Sequence, residues 1–368
     1  MSVNTMLISP KDALDTLKAL WDARVKSSVM MHGSPGIGKS QIAEQLAAYI
    51  GGPLYDVRLT TIEQQDLRGL PYYNHETKKT VWYRPEDMPD IGPAVLFLDE
   101  LSSAPPALQP TVYGLLQERR VGKHKLPDDV FVLAAGNTVE DGAVAYELGT
   151  AIADRLIHLQ VASNPDEWTR NWAPNNGIHP AVIAYIRTRP DHFETTKAAL
   201  AQNQMISATP RSWERVSDVM RGVADRRIQQ VLISGIVGDA IAAQFQIVAD
   251  DIHANVRIDD MLRTPRGEKR TALYPASIHG LNALTFGLVG IINKDNIEPV
   301  FEILLDMRRL AKLRPADGFD RMPVQELSVN GFEMVFEKVT KDRAMTDIAV
   351  ASPVYAEYDA EWKALGLS

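Results

Sequence analysis

The sequence contains no cysteine among its 368 residues. Disulfide bonds and thiolate-bound metals are therefore excluded, as is common for proteins of the cytoplasm. No apolar run approaches the ~20 residues that a transmembrane helix needs. The first ten residues also lack the basic start and long apolar core of a secretion signal. Together these absences predict a cytoplasmic protein with no membrane partner.

Positive charge is in the minority, since the chain has a formal net charge of −8. This balance does not favour a constitutive nucleic-acid-binding protein, so a nucleic-acid partner is not expected, although a local basic groove remains possible. Hydrophobic residues make up 45% and charged residues 23%, as in ordinary globular proteins. A chain of this length can form two or three domains, each with its own core.

A glycine-rich stretch near the N-terminus fits the pattern G-x-x-x-x-G-K-[ST] at every fixed position. Gly36 and Gly38 can adopt positive φ and let the main chain approach a ligand closely. Successive N–H groups and the start of the following helix would then hold phosphate oxygens, with Lys39 reaching the β- and γ-phosphates and Ser40 binding Mg²⁺. The predicted phosphate-contacting residues are Gly33, Ser34, Pro35, Gly36, Ile37, Gly38, Lys39, Ser40 and Gln41.

A chance match in a glycine-rich turn is the alternative. The context favours a phosphate loop, because residues 29–31 form an apolar run before it and residues 41–50 have a helical pattern after it.

Two carboxylates follow a second apolar run, at residues 94–98. Such a run indicates a strand buried on both faces of a parallel sheet. Ligands bind beyond the carboxyl ends of these strands, where Asp99 and Glu100 fall. Asp99 suits Mg²⁺ binding, either as a direct ligand or through a water ligand, and Glu100 suits the polarisation of an attacking water. Alone the pair is common; about sixty residues after Lys39 it is the expected second half of a nucleotide site.

Three further polar residues are candidates. Asn137 ends another apolar run and could hold the hydrolytic water beside Glu100, or be a simple turn residue. Asp154 and Arg155 precede a last strand; the alternative to a functional role is that they form a surface ion pair. Arg211 lies in the first turn of a helix that begins at Pro210, where a cation is unfavourable, so a bound anion would compensate it.

The pattern changes near residues 162–166, after which helices predominate. One long helix is predicted over residues 227–249. Residues 250–368 contain no motif that we can interpret. These features predict a domain of residues 1–163, a helical domain of residues 164–250 and a mainly helical C-terminal extension of residues 251–368.

The ordered set of motifs resembles the AAA+ ATPases and, more narrowly, the MoxR family. The resemblance covers about residues 5–225 and rests on these segments: Gly33-Ser-Pro-Gly-Ile-Gly-Lys-Ser40, Asp66-Leu-Arg-Gly69, Phe97-Leu-Asp-Glu100, Leu115-Leu-Gln-Glu-Arg119, Ala134-Ala-Gly-Asn137, Asp154-Arg155 and Thr209-Pro-Arg211.

This resemblance implies an α/β fold, with a P-loop parallel sheet flanked by helices and followed by an α-helical lid, and it implies ATP as the nucleotide. Lys39 and Ser40 would be the Walker A contacts, and Asp99 and Glu100 the Walker B pair. Asn137 would be the first sensor and Arg211 the second, on the lid. Arg155 matches the arginine finger that reaches a neighbouring subunit.

Family members usually form hexameric rings and remodel a protein client, often a partner with a von Willebrand A domain. The chain departs from the family pattern in three ways. Leu156 follows Asp154-Arg155 where the family usually has phenylalanine, the interval between Arg155 and Arg211 is short, and a long region follows residue 250.

The leading hypothesis is a Mg²⁺-dependent ATPase that remodels or activates a protein partner. A nucleic-acid-coupled motor or loader is an alternative, motivated by the basic segments 119–125 and 263–270. A nucleotide-gated scaffold with little turnover is another, which the intact Asp99–Glu100 pair opposes.

Overall fold

The computed structural model describes residues 5–137 and 153–364. The chain divides into two compact units. The first unit comprises Met1–Asn164 and Glu194–Arg211, and the second comprises Pro165–Phe193 and Ser212–Ser368.

The first unit is built on a six-stranded parallel sheet. Its strands lie in the order β1, β10, β2, β9, β6, β3. The bounds of all described strands are β1 Leu7–Ile8, β2 Val29–His32, β3 Leu54–Arg58, β4 Pro71–Asn74, β5 Lys79–Trp82, β6 Ala94–Asp99, β7 Arg120–Val121, β8 His124–Lys125, β9 Val130–Gly136 and β10 Ile157–Val161. The order places β2, β9 and β6 side by side, so that their carboxyl ends meet at one edge.

Helices cover both faces of the central strands, which explains why these strands are apolar throughout. In β2, Val29 and Met31 face one core together with helices α1 and α2, while Met30 faces the other together with α3 and α4. Ser9 caps α1 by accepting a hydrogen bond from the Asp12 N–H. The described helices of this unit are α1 Pro10–Asp22, α2 Lys39–Ile50, α3 Gln64–Arg68 and α4 Gln109–Glu118, with α7 Thr196–Ala201 and the start of α8 in its later segment. The parallel sheet between helices confirms the predicted fold class.

This unit also contains two small antiparallel hairpins. Strand β4 pairs with β5, and β7 pairs with β8. Tyr72 and Tyr83 stack with ring centroids 4.3 Å apart, and Arg68 lies over the Trp82 ring.

The second unit is helical in its described part. Its helices are α5 Pro165–Glu167, α6 Pro180–Thr188, α8 Pro210–Gly222 from Ser212 onward, α9 Arg226–Val237, α10 Asp239–Asn255, α11 Ile258–Arg263, α12 Glu268–Thr271, α13 Ile278–Ile291, α14 Ile297–Met307, α15 Leu310–Leu313, α16 Val324–Val339, α17 Arg343–Ala351 and α18 Pro353–Ala364. Helix α13 is buried along most of its length and packs on α6 and α16. Within the described ranges, no helix has the length and apolarity to cross a membrane.

The prediction of one helix over residues 227–249 is wrong. The structure has two helices there, α9 and α10, which meet at Gly238 with φ 86° and ψ 153°. This backbone conformation is open to glycine alone and ends a helix, whereas the apolar periodicity continues across it.

Candidate nucleotide-binding site

The phosphate loop connects the end of β2 to the start of α2. Gly36 has φ 80° and Gly38 has φ 98°, so both use the freedom that only glycine has. A Cβ on Gly33 would lie 2.4 Å from the Val161 carbonyl oxygen and from Ile37 Cδ1. The start of the loop is thus packed against β10. Ser34 and Pro35 lie in the loop, and Ser40 and Gln41 in the first turn of α2.

Lys39 is 8% exposed, and oxygen atoms surround its ammonium group. Nζ donates to the Gly33 carbonyl at 2.6 Å, to the Ser34 carbonyl at 3.0 Å and to Asn137 Oδ1 at 3.0 Å. The last bond joins residues 98 positions apart. It forms because β2 and β9 are neighbours in the sheet, and it brings two of the predicted site residues together.

Asn137 is itself held by a residue that the sequence analysis did not identify. Its N–H donates to Ser102 Oγ at 3.1 Å, and Ser102 is 7% exposed. Gly136 leaves the room for this approach, since a Cβ there would lie 2.8 Å from the same oxygen. A serine three residues after Asp99 gives no recognisable sequence signal.

The carboxylate pair lies at the end of β6, beside β9 on one side and β3 on the other. The Glu100 N–H donates to Asp99 Oδ1 at 2.8 Å. Glu100 has φ 59°, a left-handed conformation that non-glycine residues rarely adopt. Burial raises the pKa of Asp56, on β3, and the negative charge of Asp99 adds to this effect.

The side chain of Glu100 is engaged by the end of β3. Thr60 Oγ1 donates to Glu100 Oε2, and Arg58 Nε lies 3.9 Å from Glu100 Oε1. Thr60 is a second residue that the sequence analysis missed, because a threonine after a strand is unremarkable in sequence. The carboxylate predicted to activate water is therefore paired with a hydroxyl group.

Arg211 meets the phosphate loop from the start of α8. Its N–H donates to the Gly36 carbonyl at 3.3 Å, within the first unit. A Cβ on Gly36 would lie 2.9 Å from Thr209 Oγ1 and 3.4 Å from Arg211 Cβ. The guanidinium-bearing side chain is exposed. The structure thus brings this predicted residue to the loop.

Arg155 is placed differently. It is exposed, and its Nη1 donates to Gln117 Oε1 at 2.5 Å, near the C-terminal end of α4. The next residue, Leu156, is buried in the core on that face of the sheet. The bond described for Arg155 thus goes to α4 and not to the phosphate loop.

The residues present fit a nucleoside triphosphate and a magnesium ion. The two positive-φ glycines shape a cradle that a Cβ would strain, and the buried ammonium of Lys39 lies on main-chain oxygens that an anion can replace as its partner. Ser40 and Asp99 offer a hydroxyl and a carboxylate, the hard oxygen donors that Mg²⁺ prefers. Fold and loop together define a P-loop nucleotide-binding domain.

The comparisons with known proteins name the class more narrowly. Residues 28–158 match the model of the family "ATPase family associated with various cellular activities (AAA)". This part of the chain is therefore an AAA-type ATPase domain, and its activity is ATP hydrolysis. No curated protein matches the chain.

Similar solved structures include the RuvB Holliday junction branch migration motor of Thermotoga maritima, 15% identical, with a TM-score of 0.32, covering 87% of this chain and 86% of that one. NtrX from Brucella abortus in complex with ADP is 13% identical, with a TM-score of 0.33, covering 91% of this chain and 69% of that one. Likenesses this low carry no functional argument.

Proposed function

We propose that the protein is a Mg²⁺-dependent AAA+ ATPase of the MoxR type that couples ATP hydrolysis to the remodelling or activation of a protein partner. The observation that carries the nucleotide chemistry is the bond from Lys39 Nζ to Asn137 Oδ1. It links the phosphate loop to the end of the strand beside Asp99 and Glu100, so that residues from three strand ends converge on one site.

Each residue has a distinct part in this proposal. Lys39 and Arg211 bind the β- and γ-phosphates, and the loop N–H groups hold the remaining oxygens. Ser40 and Asp99 hold Mg²⁺, which would neutralise charge on the phosphates. Glu100 orients and polarises the attacking water, with Asn137 as its neighbour.

Arg155 is proposed to act on the nucleotide of a neighbouring subunit in a ring, hexameric by the family resemblance. Arg155 is exposed in the turn before β10, and its described bond goes to Gln117 of α4 and not to its own phosphate loop, which supports a role outside its own site. Phosphoryl transfer depends mainly on positioning and charge stabilisation, and an arginine supplied in this way is worth about 10³- to 10⁵-fold in rate.

The proposed partner is a protein client, which includes a partner with a von Willebrand A domain. The proposed lid spans residues 164–250. The extension of residues 251–368 is proposed to carry the functions that are specific to this protein. The whole protein is proposed to be cytoplasmic.

The test uses Glu100→Gln and Arg155→Ala subunits. Glu100→Gln should bind ATP without turnover, because the amide cannot polarise water, and Arg155→Ala should bind ATP but hydrolyse it at least 10³-fold more slowly. Mixing the two should restore turnover, since each Arg155→Ala site can receive the arginine of a Glu100→Gln neighbour. Phosphate release and nucleotide binding are measured on each protein and on the mixture.

Full steady-state turnover by Arg155→Ala alone would refute the role of this arginine. Affinity capture with the ATP-loaded Glu100→Gln protein should retain the partner, because the stalled enzyme does not release it.

A further inference from the structure

Two histidines lie beneath the phosphate loop and have no part in the function proposed above. His32 is the last residue of β2, directly before Gly33, and it is 8% exposed. His158 lies on the neighbouring strand β10. His32 Nε2 and His158 Nδ1 are 2.8 Å apart, and the two rings lie nearly parallel with their centroids 5.1 Å apart.

The hydrogen bonds of the pair assign one of its protons. His158 Nε2 is 2.9 Å from the Ala153 carbonyl oxygen, which can only accept, so this nitrogen carries a proton. His32 Nε2 and His158 Nδ1 share one hydrogen bond, in which one of the two nitrogens donates and the other accepts. Burial lowers the pKa of His32 to about 4, and the charges of His158 and Lys39 act in the same direction, so His32 is neutral at neutral pH.

The pair connects two parts of the site. At one end, His32 adjoins Gly33, whose carbonyl accepts the bond from Lys39 Nζ. At the other end, the Ala153 carbonyl belongs to the turn that carries Asp154 and Arg155 and that leads into β10. Two consecutive hydrogen bonds therefore connect His32, the residue before Gly33, through His158 to the Ala153 carbonyl. Ala153 lies two positions before Arg155.

We propose that His32 and His158 are positioning residues for ATP hydrolysis, which hold the Arg155 turn in a fixed relation to the first residue of the phosphate loop. This inference rests on the proposed action of Arg155 on a neighbouring nucleotide. A bound triphosphate competes with the Gly33 carbonyl for Lys39, and the histidine pair carries the resulting displacement of the loop to the turn. The bonds to His158 thus tie the nucleotide state of one site to the arginine offered to the next.

The variants separate the hydrogen bonds of His158 from its volume. His158→Phe keeps a ring but can neither accept from His32 nor donate to Ala153. His158→Gln keeps one acceptor and one donor on a side chain of similar reach. Gln160→Met is the matched control, because Gln160 lies on the same strand opposite His32 and takes part in neither hydrogen bond of the pair.

We expect His158→Phe to lower kcat at least tenfold while the affinity for ADP stays within twofold of the original. His158→Gln should recover most of kcat, and Gln160→Met should be unchanged. A role in folding alone would reduce kcat and nucleotide affinity together and would not distinguish phenylalanine from glutamine. Wild-type kcat in His158→Phe, or equal loss in both His158 variants, would overturn the inference.

The double variant His158→Phe/Arg155→Ala identifies the route. If His158 acts through Arg155, the double variant should be no slower than Arg155→Ala. Losses that multiply would overturn the inference and leave the role of Arg155 intact. Full turnover by Arg155→Ala would overturn both.

A measurement on the unmodified protein does not depend on how the variants fold. Nitrogen-15 NMR of the histidine side chains should show a proton on His158 Nε2 and one proton between the facing nitrogens His32 Nε2 and His158 Nδ1. Protons on both His32 Nε2 and His158 Nδ1, or on neither of them, would exclude the bond between the rings and overturn the inference.

Discussion

The ammonium of Lys39 shows how single residues prepare this site. A buried cation is costly unless oxygen atoms replace its hydration, and here two main-chain carbonyls and an amide do so. These three oxygen atoms belong to neutral groups, and a hydrogen bond to a neutral oxygen is weaker than one to a carboxylate. Lys39 is therefore placed close to where phosphates would bind and can exchange these partners for a triphosphate.

Glu100 illustrates the opposite arrangement, in which a reactive group is restrained. Its positive φ is a strained conformation that costs of order 1–3 kcal/mol, and its carboxylate is engaged by Thr60. The carboxylate oxygen that accepts from Thr60 has one lone pair fewer to offer an attacking water. The restraint lies at the end of an edge strand, β3.

We therefore predict that Thr60→Val increases basal turnover. Valine keeps the shape of threonine but cannot donate to Glu100, and loss of a hydrogen bond worth about 0.5–1.5 kcal/mol corresponds to a gain of up to about tenfold. ATP turnover is measured at saturating ATP, with Thr61→Val as the control, because the Thr61 hydroxyl donates to the Arg58 carbonyl instead. Lower turnover in Thr60→Val than in Thr61→Val would show that Thr60 assists Glu100 and does not restrain it.

At the scale of elements, the parts that the sequence predicts are those whose signal is local. The apolar runs before Gly33, Asp99 and Asn137 are strands because burial on both faces requires it, and the loop glycines specify their own backbone. Parallel strand ends must meet at one edge of the sheet, so the contact of Lys39 with Asn137 and the place of Asp99 on the neighbouring strand follow from the same patterns.

The site residues that the sequence does not predict depend on contacts between segments that are distant in the chain. Ser102 and Thr60 become site residues only because the ends of β6, β9 and β3 are adjacent, and neither side chain has a distinctive local pattern. His32 and His158 pair across β2 and β10, 126 positions apart in sequence. The break at Gly238 was missed for another reason, since apolar periodicity does not report a backbone angle.

Gly238 gives a prediction for the joint between α9 and α10. Gly238→Ala should destabilise the second unit by roughly 1–3 kcal/mol, because alanine is strained at this φ and ψ although a Cβ would meet no atom within 4 Å. Gly235→Ala is the matched control, since Gly235 lies inside α9 with equally open space, and alanine there should stabilise by about 0.5–1 kcal/mol. Urea unfolding followed by circular dichroism measures both. Equal effects of the same sign would contradict the assignment of strain to Gly238.

At the scale of the whole molecule, each unit contains a histidine that burial keeps neutral. The pKa of His32 in the first unit and that of His179 in the second are both lowered to about 4, mainly by burial. His179 also caps helix α6, where its Nδ1 accepts from the Ala181 N–H. Protonation of either ring at mildly acidic pH would place a charge in a buried position, which is unfavourable.

This arrangement predicts that the free energy of unfolding decreases as the pH is lowered through a window set by the two histidines. The unfolded chain binds protons near pH 6.5 and the folded chain only near pH 4, so the stabilisation is complete above pH 6.5 and is lost progressively down to about pH 4. A lowering of this size corresponds to roughly 3 kcal/mol for His32, by the conversion of 1.36 kcal/mol per pKa unit. His32→Gln and His179→Asn should flatten this dependence, and asparagine retains the capping acceptor of His179. Urea unfolding at pH 7.5, 6.5, 5.5 and 4.5 tests the prediction; profiles that stay parallel to that of the unmodified protein would show that other groups cause its acid sensitivity.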